Sequence, residues 1–211
     1  MLDDVDGWQQ FTKQTSVDEA TRQFRRVAGR HAPSQRFEAR YERSLAAIER
    51  GARAPAAMRC YRLILVPGWR YRSSTEHGAD LAAVVALAGR LGMAHERVDT
   101  DEEGVVEWNA ALVASRLRNP PSRVPIIVLS VSKGSAETAL ALSHVLADRT
   151  SPATISAWIN VNGLLGGTPL ADTLVTGPGR IVMAALLKLA GGTPEEVESI
   201  TTSARRAAPD V

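Results

Sequence analysis

The chain has 211 residues, of which 45% are hydrophobic, 23% charged and 5% aromatic, and these proportions are typical of a globular protein with one domain and a small appendage. The formal net charge of +2 is too small to indicate a nucleic-acid partner, and we expect none. The single cysteine, Cys60, excludes an intramolecular disulfide and a cysteine-rich metal site.

Targeting and cofactor motifs are missing from the sequence. The first residues are acidic, which does not match the basic-then-apolar order of a signal peptide. No apolar run approaches the roughly 18 residues of a membrane span. Phosphate-binding loops, dinucleotide fingerprints and zinc motifs are not found. These features predict a cytoplasmic protein that has no membrane span and binds neither a cofactor nor a metal.

Residues 1–59 form a predicted N-terminal helical extension. Ser16 and Glu19 have the spacing of a capping box, and helical patterns follow from about Asp18 to Arg30 and from about Ser34 to Arg50. Residues 51–57 resemble a linker. With 11 Lys and Arg against 8 Asp and Glu, the extension is either a solvated appendage packing on the main domain, which we favour, or a basic arm that binds a partner.

From residue 60 onward, predicted strands alternate with predicted helices. The strands are Tyr61–Val66, Ala94–Val98, Pro125–Ser130 and Ile155–Val161, and the helices are Glu76–Leu91, Gly104–Arg118 and Gly134–Asp148. This order predicts an α/β domain over residues 60–211, in which a mainly parallel sheet is flanked by helices on both faces.

The clearest chemical motif follows the strand Pro125–Ser130. Ser132 stands between two small residues, Ser130 and Gly134, at the junction of this strand with the next helix. A sharp strand-to-helix turn needs such small neighbours, because the backbone doubles back on itself. We expect Ser132 on this turn, with its hydroxyl in a cleft and with backbone dihedrals that are uncommon for a non-glycine residue.

The segment IIVLSVSKGSAETALAL resembles the strand, nucleophile elbow and helix of the α/β-hydrolase superfamily, which includes serine esterases and lipases. The resemblance covers roughly residues 60–175 and implies a three-layer sandwich that acts on a small-molecule ester or acyl substrate. By this resemblance Ser132 attacks the carbonyl carbon, and the backbone N–H of Lys133 forms half of the oxyanion hole.

The other half of the oxyanion hole is predicted in the turn after the first strand. There the superfamily carries His-Gly-x, and this chain has Pro67, Gly68 and Trp69. The resemblance assigns the second N–H to Trp69 and the close approach of the substrate to Gly68. In the alternative interpretation the segment is an ordinary β-turn, and Trp69 covers the core.

A third strand end carries Gly166-Gly167-Thr168-Pro169, which is similar to a loop leading into the capping helices of lipase-like and esterase-like members. Gly166 and Gly167 either approach a substrate or make turns. Residues 173–190 contain a lid-like apolar helix from about Gly179, and its predicted inward face would contact the core or an acyl chain through Ile181, Val182, Ala185, Leu186 and Leu189. A core or lid-packing role is the favoured one.

A catalytic base is not evident in the sequence. Superfamily members place an acid and then a histidine after the serine, but His31, His77 and His95 precede Ser132, and His144 lies well along the following helix. His77 is expected on the surface. In the alternative, it approaches the site from the predicted oxyanion loop, in a way that superfamily members do not use. We therefore expect a C-terminally incomplete hydrolase that lacks its catalytic histidine, or else a non-catalytic binding module with the same fold.

Overall fold

The computed structural model describes residues 5–120, 124–148, 154–176, 179–189 and 192–207. The chain divides into two compact units, Met1–Ala54 and Pro55–Val211. The boundary between them falls inside the predicted linker. Among the helices of the described ranges, none has the length and apolar character needed to cross a membrane.

The described part of the first unit contains three helices, which are α1 (Val5–Gln14), α2 (Val17–Ala28) and α3 (Ala32–Glu49). The N-cap half of the predicted capping box starts α2, because the Ser16 hydroxyl accepts a hydrogen bond from the Glu19 N–H at 3.1 Å. The Glu19 carboxylate, which was predicted to reach back to Ser16, pairs with Arg22 at 2.8 Å. Helix α1 was not predicted. Trp8 on α1 packs edge-to-face against Phe24 on α2, with ring centroids 5.4 Å apart.

The second unit is built on a four-stranded parallel sheet with the strand order β2-β1-β3-β4. Its strands are β1 (Arg62–Val66), β2 (Ala94–Arg97), β3 (Ile126–Val131) and β4 (Ile155–Val161), and the helices between them are α4 (Ala82–Arg90), α5 (Val106–Arg118) and α6 (Lys133–Ala147). The α/β prediction is confirmed. Helix α4 begins later than predicted, because Gly78 and Leu81 both have positive φ and interrupt the helical backbone.

Two apolar clusters cover the two faces of this sheet. Alternate residues of β1 point to opposite faces, so Ile64 and Val66 pack with α5 and α6 while Leu63 and Leu65 pack with α4. The result is a three-layer sandwich of helix, sheet and helix. Because all strands are parallel, their carboxyl ends meet at one edge of the sheet, where β1 and β3 lie side by side through the pair Val66 and Ser130.

Among the residues described after β4 there are four short helices, which are α7 (Pro169–Val175), α8 (Gly179–Leu189), α9 (Pro194–Glu198) and α10 (Thr202–Arg206). Helix α8 begins where the apolar pattern predicts, but its predicted inward face is wrong. Ile181 is 81% exposed and Ala185 is exposed, whereas Leu187 is buried. A helix that is apolar on nearly every side gives no periodic signal for its buried face. The side chains of Val182, Leu186 and Leu189 lie outside the described residues.

The last two helices lie in a segment whose sequence resembles a polar tail. Thr193 and Pro194 begin α9 in the manner of an N-cap followed by a first-turn proline, and the Thr201 hydroxyl caps α10 by accepting the Ala204 N–H. The segment is docked on the sandwich, because the Val106 N–H donates to the Ser199 hydroxyl at 3.3 Å.

Candidate active site

Ser132 is the single residue between the end of β3 and the start of α6, and its backbone is strained. Its φ of 53° and ψ of −124° lie in a region that non-glycine residues rarely occupy. The end of β4, the loop that follows it and the first turn of α6 hold the turn in place. The Ser132 N–H donates to the Val161 carbonyl at 3.1 Å, and the Ser132 carbonyl accepts from Ser135 at 3.0 Å and from Leu164 at 3.2 Å.

The turn is possible because the residues around it are small. A Cβ at Gly134 would lie 2.1 Å from the Pro67 carbonyl oxygen, and one at Gly163 would lie 2.5 Å from the Ser135 Cβ. Ser130 is buried, and its hydroxyl lies 2.9 Å from that of Ser135. Ser130 stands where the usual motif has a glycine, and its buried hydroxyl has a hydrogen-bond partner.

The loop after β1 passes beside Ser132. A Cβ at Gly68 would lie 3.4 Å from the Ser132 Cβ, and the Gly68 N–H is held by the Ala79 carbonyl at 2.9 Å. Trp69 follows at once, and within the described residues its backbone N–H has no hydrogen-bond partner. Lys133 is the first residue of α6, where a backbone N–H has no acceptor within its own helix. The two N–H groups predicted for an oxyanion hole therefore stand at the ends of neighbouring strands.

A cavity of about 240 Å³ opens at this edge of the sheet. Its wall contains Ser132, Trp69, Thr168 and Glu196, and the remaining lining is apolar: Leu164, Leu170, Ala171, Leu174, Val197 and Ile200. Such a lining suits an uncharged organic group.

The three glycines predicted to approach the substrate, Gly68, Gly166 and Gly167, do not belong to this lining. A Cβ at Gly166 would meet nothing within 4 Å, and Gly167, at φ 76°, packs so tightly on the Thr201 carbonyl that a Cβ there would lie 2.4 Å from its oxygen. Gly167 therefore makes the turn that brings the loop onto the C-terminal helices. Thr168 is the residue of this loop that reaches the cavity.

Glu196 is a cavity residue that the sequence analysis did not identify. It is 1% exposed, and its Oε2 lies 3.5 Å from the Trp69 Nε1, at the long end of hydrogen-bond range. Burial raises the pKa of the Glu196 carboxyl, and the Trp69 hydrogen bond opposes that rise. The sequence does carry one signal for a helix at this position. In Thr193-Pro194-Glu195-Glu196 the threonine and the second glutamate have the spacing of a capping box.

The side chain of Lys133 points away from the cavity into the interface of α5 and α6. It is 2% exposed, and its Nζ lies 3.0 Å from the Glu137 Oε1. The Asn109 amide donates to the same oxygen at 2.8 Å. Burial raises the pKa of the Glu137 carboxyl, and the nearby Lys133 ammonium opposes that rise. The charge of Lys133 is thus paired within the helical layer and does not face the cavity.

The histidines of the second unit lie elsewhere. His77 is exposed beside Glu76 at 3.4 Å, the His95 Nδ1 is 2.9 Å from the Met93 carbonyl, and His144 is exposed on α6. None of the three lines the cavity. Over the described ranges, no group of three or more His, Cys, Asp or Glu residues is arranged to hold a metal ion.

Comparison with known proteins supports the fold. No protein-family model matches the chain, and a comparison with curated proteins gave no match. Among solved structures, the chain is similar to a metagenomic carboxyl esterase, with a TM-score of 0.53 and 23% sequence identity over 74% of this chain and 47% of the esterase. The chain thus spans about half the length of that enzyme. At this identity the similarity shows an esterase-like α/β fold.

Proposed function

We propose that the second unit is the nucleophile-bearing part of a carboxylic ester hydrolase, with Ser132 as the nucleophile. The observation that carries the proposal is the strained backbone of Ser132 at the mouth of the apolar cavity. Such strain persists only where the surrounding structure enforces it, and it is concentrated at functional sites. The esterase-like fold supports the same assignment.

In the proposed reaction, the Ser132 Oγ attacks the carbonyl carbon of an uncharged ester. A C–O bond forms, the π electrons move to the carbonyl oxygen, and the hydroxyl proton passes to a base. The backbone N–H groups of Trp69 and Lys133 then donate hydrogen bonds to the oxyanion. Collapse of this intermediate expels the alcohol and leaves an acyl group on Ser132, which water hydrolyses.

A histidine base is the part of this chemistry that the described residues do not place in the cavity. None of the three histidines of the second unit lines the cavity, and a serine hydroxyl without a base is a poor nucleophile. An oxyanion hole and substrate binding alone retain only a small part of the catalysis. We therefore expect the 211-residue chain to hydrolyse esters slowly and to respond to imidazole supplied in solution.

A second candidate function is a non-catalytic binding module that uses the same cavity. The observation that favours it is the same lack of a histidine in the cavity lining. The two candidates differ in the role of Ser132. In a hydrolase an added base should speed ester cleavage through Ser132, whereas in a binding module it should not.

The test is release of p-nitrophenol from a short-chain p-nitrophenyl ester, with and without imidazole. The background reaction of imidazole is subtracted, and Ser203→Ala serves as a control at an exposed serine. We expect imidazole to stimulate the chain and the Ser203→Ala variant but not Ser132→Ala. Equal rates in Ser132→Ala and the unmodified chain would favour the binding module. Robust turnover without imidazole would show that the chain holds a base, and His77→Ala would be the next variant to measure.

A further inference from the structure

Glu196 reaches the candidate site from a segment far away in the sequence. It lies 127 positions from Trp69, and its Oε2 accepts the indole N–H of that residue. The other carboxylate oxygen, Oε1, is buried without a hydrogen-bond partner among the described residues. A Cβ at Gly192 would lie 2.3 Å from Oε1, so glycine at that position leaves the room that the carboxylate occupies.

The segment that carries Glu196 is held firmly against the sandwich. Asp172 accepts the Thr202 N–H at 2.8 Å and the Thr202 hydroxyl at 2.7 Å. Arg205 is buried and pairs with Glu107 on α5. Because α10 directly follows α9, these contacts restrain the segment that carries Glu196.

Trp69 lies on a loop whose neighbouring positions are anchored by the Gly68 N–H, which donates to the Ala79 carbonyl at 2.9 Å, and by the Tyr71 hydroxyl, which donates to the Thr100 carbonyl at 3.0 Å. Trp69 itself is 37% exposed, and Glu196 contacts its indole. The same residue carries the backbone N–H assigned to the oxyanion hole. Any rotation of the loop would therefore move this N–H relative to Ser132.

We propose that Glu196 is a positioning residue that holds the Trp69 indole and thereby keeps the Trp69 backbone N–H directed at the oxyanion. This inference rests on the proposed function of Ser132. The group acts through Trp69 and makes no bond to the substrate in this account. A small misplacement of a catalytic donor is enough to slow a reaction markedly.

Glu196 also has the spacing of a capping-box residue for α9, so the experiment must separate the two roles. Glutamine serves in a capping box as well as glutamate does, and its amide oxygen accepts an indole N–H. Glu196→Gln should therefore keep both roles, whereas Glu196→Leu loses both. Trp69→Phe removes the indole donor and part of the cavity wall but leaves α9 unchanged, so the double variant with Glu196→Leu separates the hydrogen bond from the change in the wall.

The readout is the rate of Ser132-dependent acetylation by p-nitrophenyl acetate in the presence of imidazole. We expect Glu196→Leu and Trp69→Phe each to slow acetylation about tenfold, and Glu196→Gln to stay within about twofold of the unmodified chain. In the Trp69→Phe background, Glu196→Leu should add less than about a further twofold, because the two residues act as one unit. Glu195→Leu, at an exposed neighbouring position on α9, is the matched control and should have no effect.

Three outcomes would overturn the proposal: Trp69→Phe acetylated at the unmodified rate, Glu196→Leu costing the same factor in both backgrounds, or Glu195→Leu as slow as Glu196→Leu. Trp69→Phe decides the matter even if Glu196→Leu fails to fold. If the unmodified chain shows no Ser132-dependent acetylation, the proposed function itself fails and this inference falls with it, a result distinct from the other three.

Discussion

At the scale of single residues, the candidate site depends on the strained backbone of Ser132 and on glycines that leave room for neighbouring atoms. Ser132 has a φ of 53°, which costs a residue with a Cβ about 1–2 kcal/mol relative to ordinary conformations. Gly134 leaves space that the Pro67 carbonyl fills. Both features are measurable as stability effects, independently of any catalytic assay.

At position 132 a glycine variant should be more stable than an alanine variant, which is the reverse of their usual order of stability. We expect Ser132→Gly to be more stable than Ser132→Ala by about 1 kcal/mol, because glycine adopts positive φ without a steric penalty. Ser143, inside α6, gives the comparison: there glycine should be less stable than alanine by about 1 kcal/mol. Urea unfolding of the four variants measures both differences, and the same order at both positions would show that Ser132 is not strained.

Gly134→Ala should damage the fold, because the new Cβ would lie 2.1 Å from the Pro67 carbonyl oxygen. We expect a loss of about 3 kcal/mol in the free energy of unfolding, at the upper end for overpacking. Gly166→Ala is the control, since a Cβ there meets nothing within 4 Å, and it should be close to neutral. If both variants unfold at the same urea concentration, the close approach of the β1 loop to the elbow is wrong.

Sequence alone could predict the strand-to-helix turn at Ser132, because its signal is local. A strand-like apolar run, two small residues and a helix lie within about ten positions. Glu196 could not be found in this way. Its place in the cavity depends on a contact with Trp69 across 127 positions, and local patterns carry no information about such contacts. Local sequence also does not show that Gly167 packs on the Thr201 carbonyl, which leaves no room for a Cβ. For the same reason, the cavity lining could not be predicted from Gly166 and Gly167.

At the scale of elements, the strands were predictable and the C-terminal helices were not. The β1, β3 and β4 runs are apolar and bounded by turns, so they stand out against their surroundings. Helices α9 and α10 have five residues each and a polar sequence, and tertiary contacts rather than propensity hold them. The buried face of α8 was mispredicted because that helix is apolar on nearly every side.

The buried pair on α6 gives a prediction for the interface of α5 and α6. Glu137→Leu leaves the Lys133 ammonium buried without its carboxylate, and we expect a loss of about 3–5 kcal/mol in the free energy of unfolding. The double variant Lys133→Met/Glu137→Leu should recover most of it, because both charges are then gone. The pair of Arg116 and Glu96, which is only partly buried, provides the control, since Glu96→Gln should cost clearly less than Glu137→Leu. A double variant no more stable than the single one would contradict this account.

Glu196 gives a prediction for the pH dependence of stability. Burial raises its pKa above the ordinary value of 4.5, so the folded protein binds this proton more tightly than the unfolded chain. The resulting stability is fully present below pH 4.5 and is lost as the pH rises through the folded pKa.

Glu196→Gln has no such proton, so its stability relative to the unmodified chain should increase between pH 4.5 and neutral pH. Urea unfolding at a series of pH values measures this difference, and Glu195→Gln, at an exposed position, should show none. A difference that falls with rising pH would mean that the folded protein stabilises the charged carboxylate.

At the scale of the whole molecule, the order of β2, β1, β3 and β4 brings two loops together that are more than 60 positions apart in the sequence. The parallel arrangement was predictable from the alternation of strands and helices, but the strand order was not, because apolar runs do not specify which strand lies beside which. The similarity to a carboxyl esterase covers 47% of that enzyme, so the proposed chemistry concerns the nucleophile and the oxyanion hole rather than a full catalytic cycle.

The central claim is that Ser132 is a nucleophile, and the most direct test is to find the acyl group on it. Once imidazole is removed, no histidine of the cavity lining assists hydrolysis of the acyl intermediate, so the intermediate should persist long enough to be detected. We expect p-nitrophenyl acetate with imidazole to add one acetyl group by intact-mass measurement, and peptide mapping should place it on Ser132. Hydroxylamine should remove it, since it is an ester. A label found only on lysine, resistant to hydroxylamine and equally present in Ser132→Ala, would contradict the account.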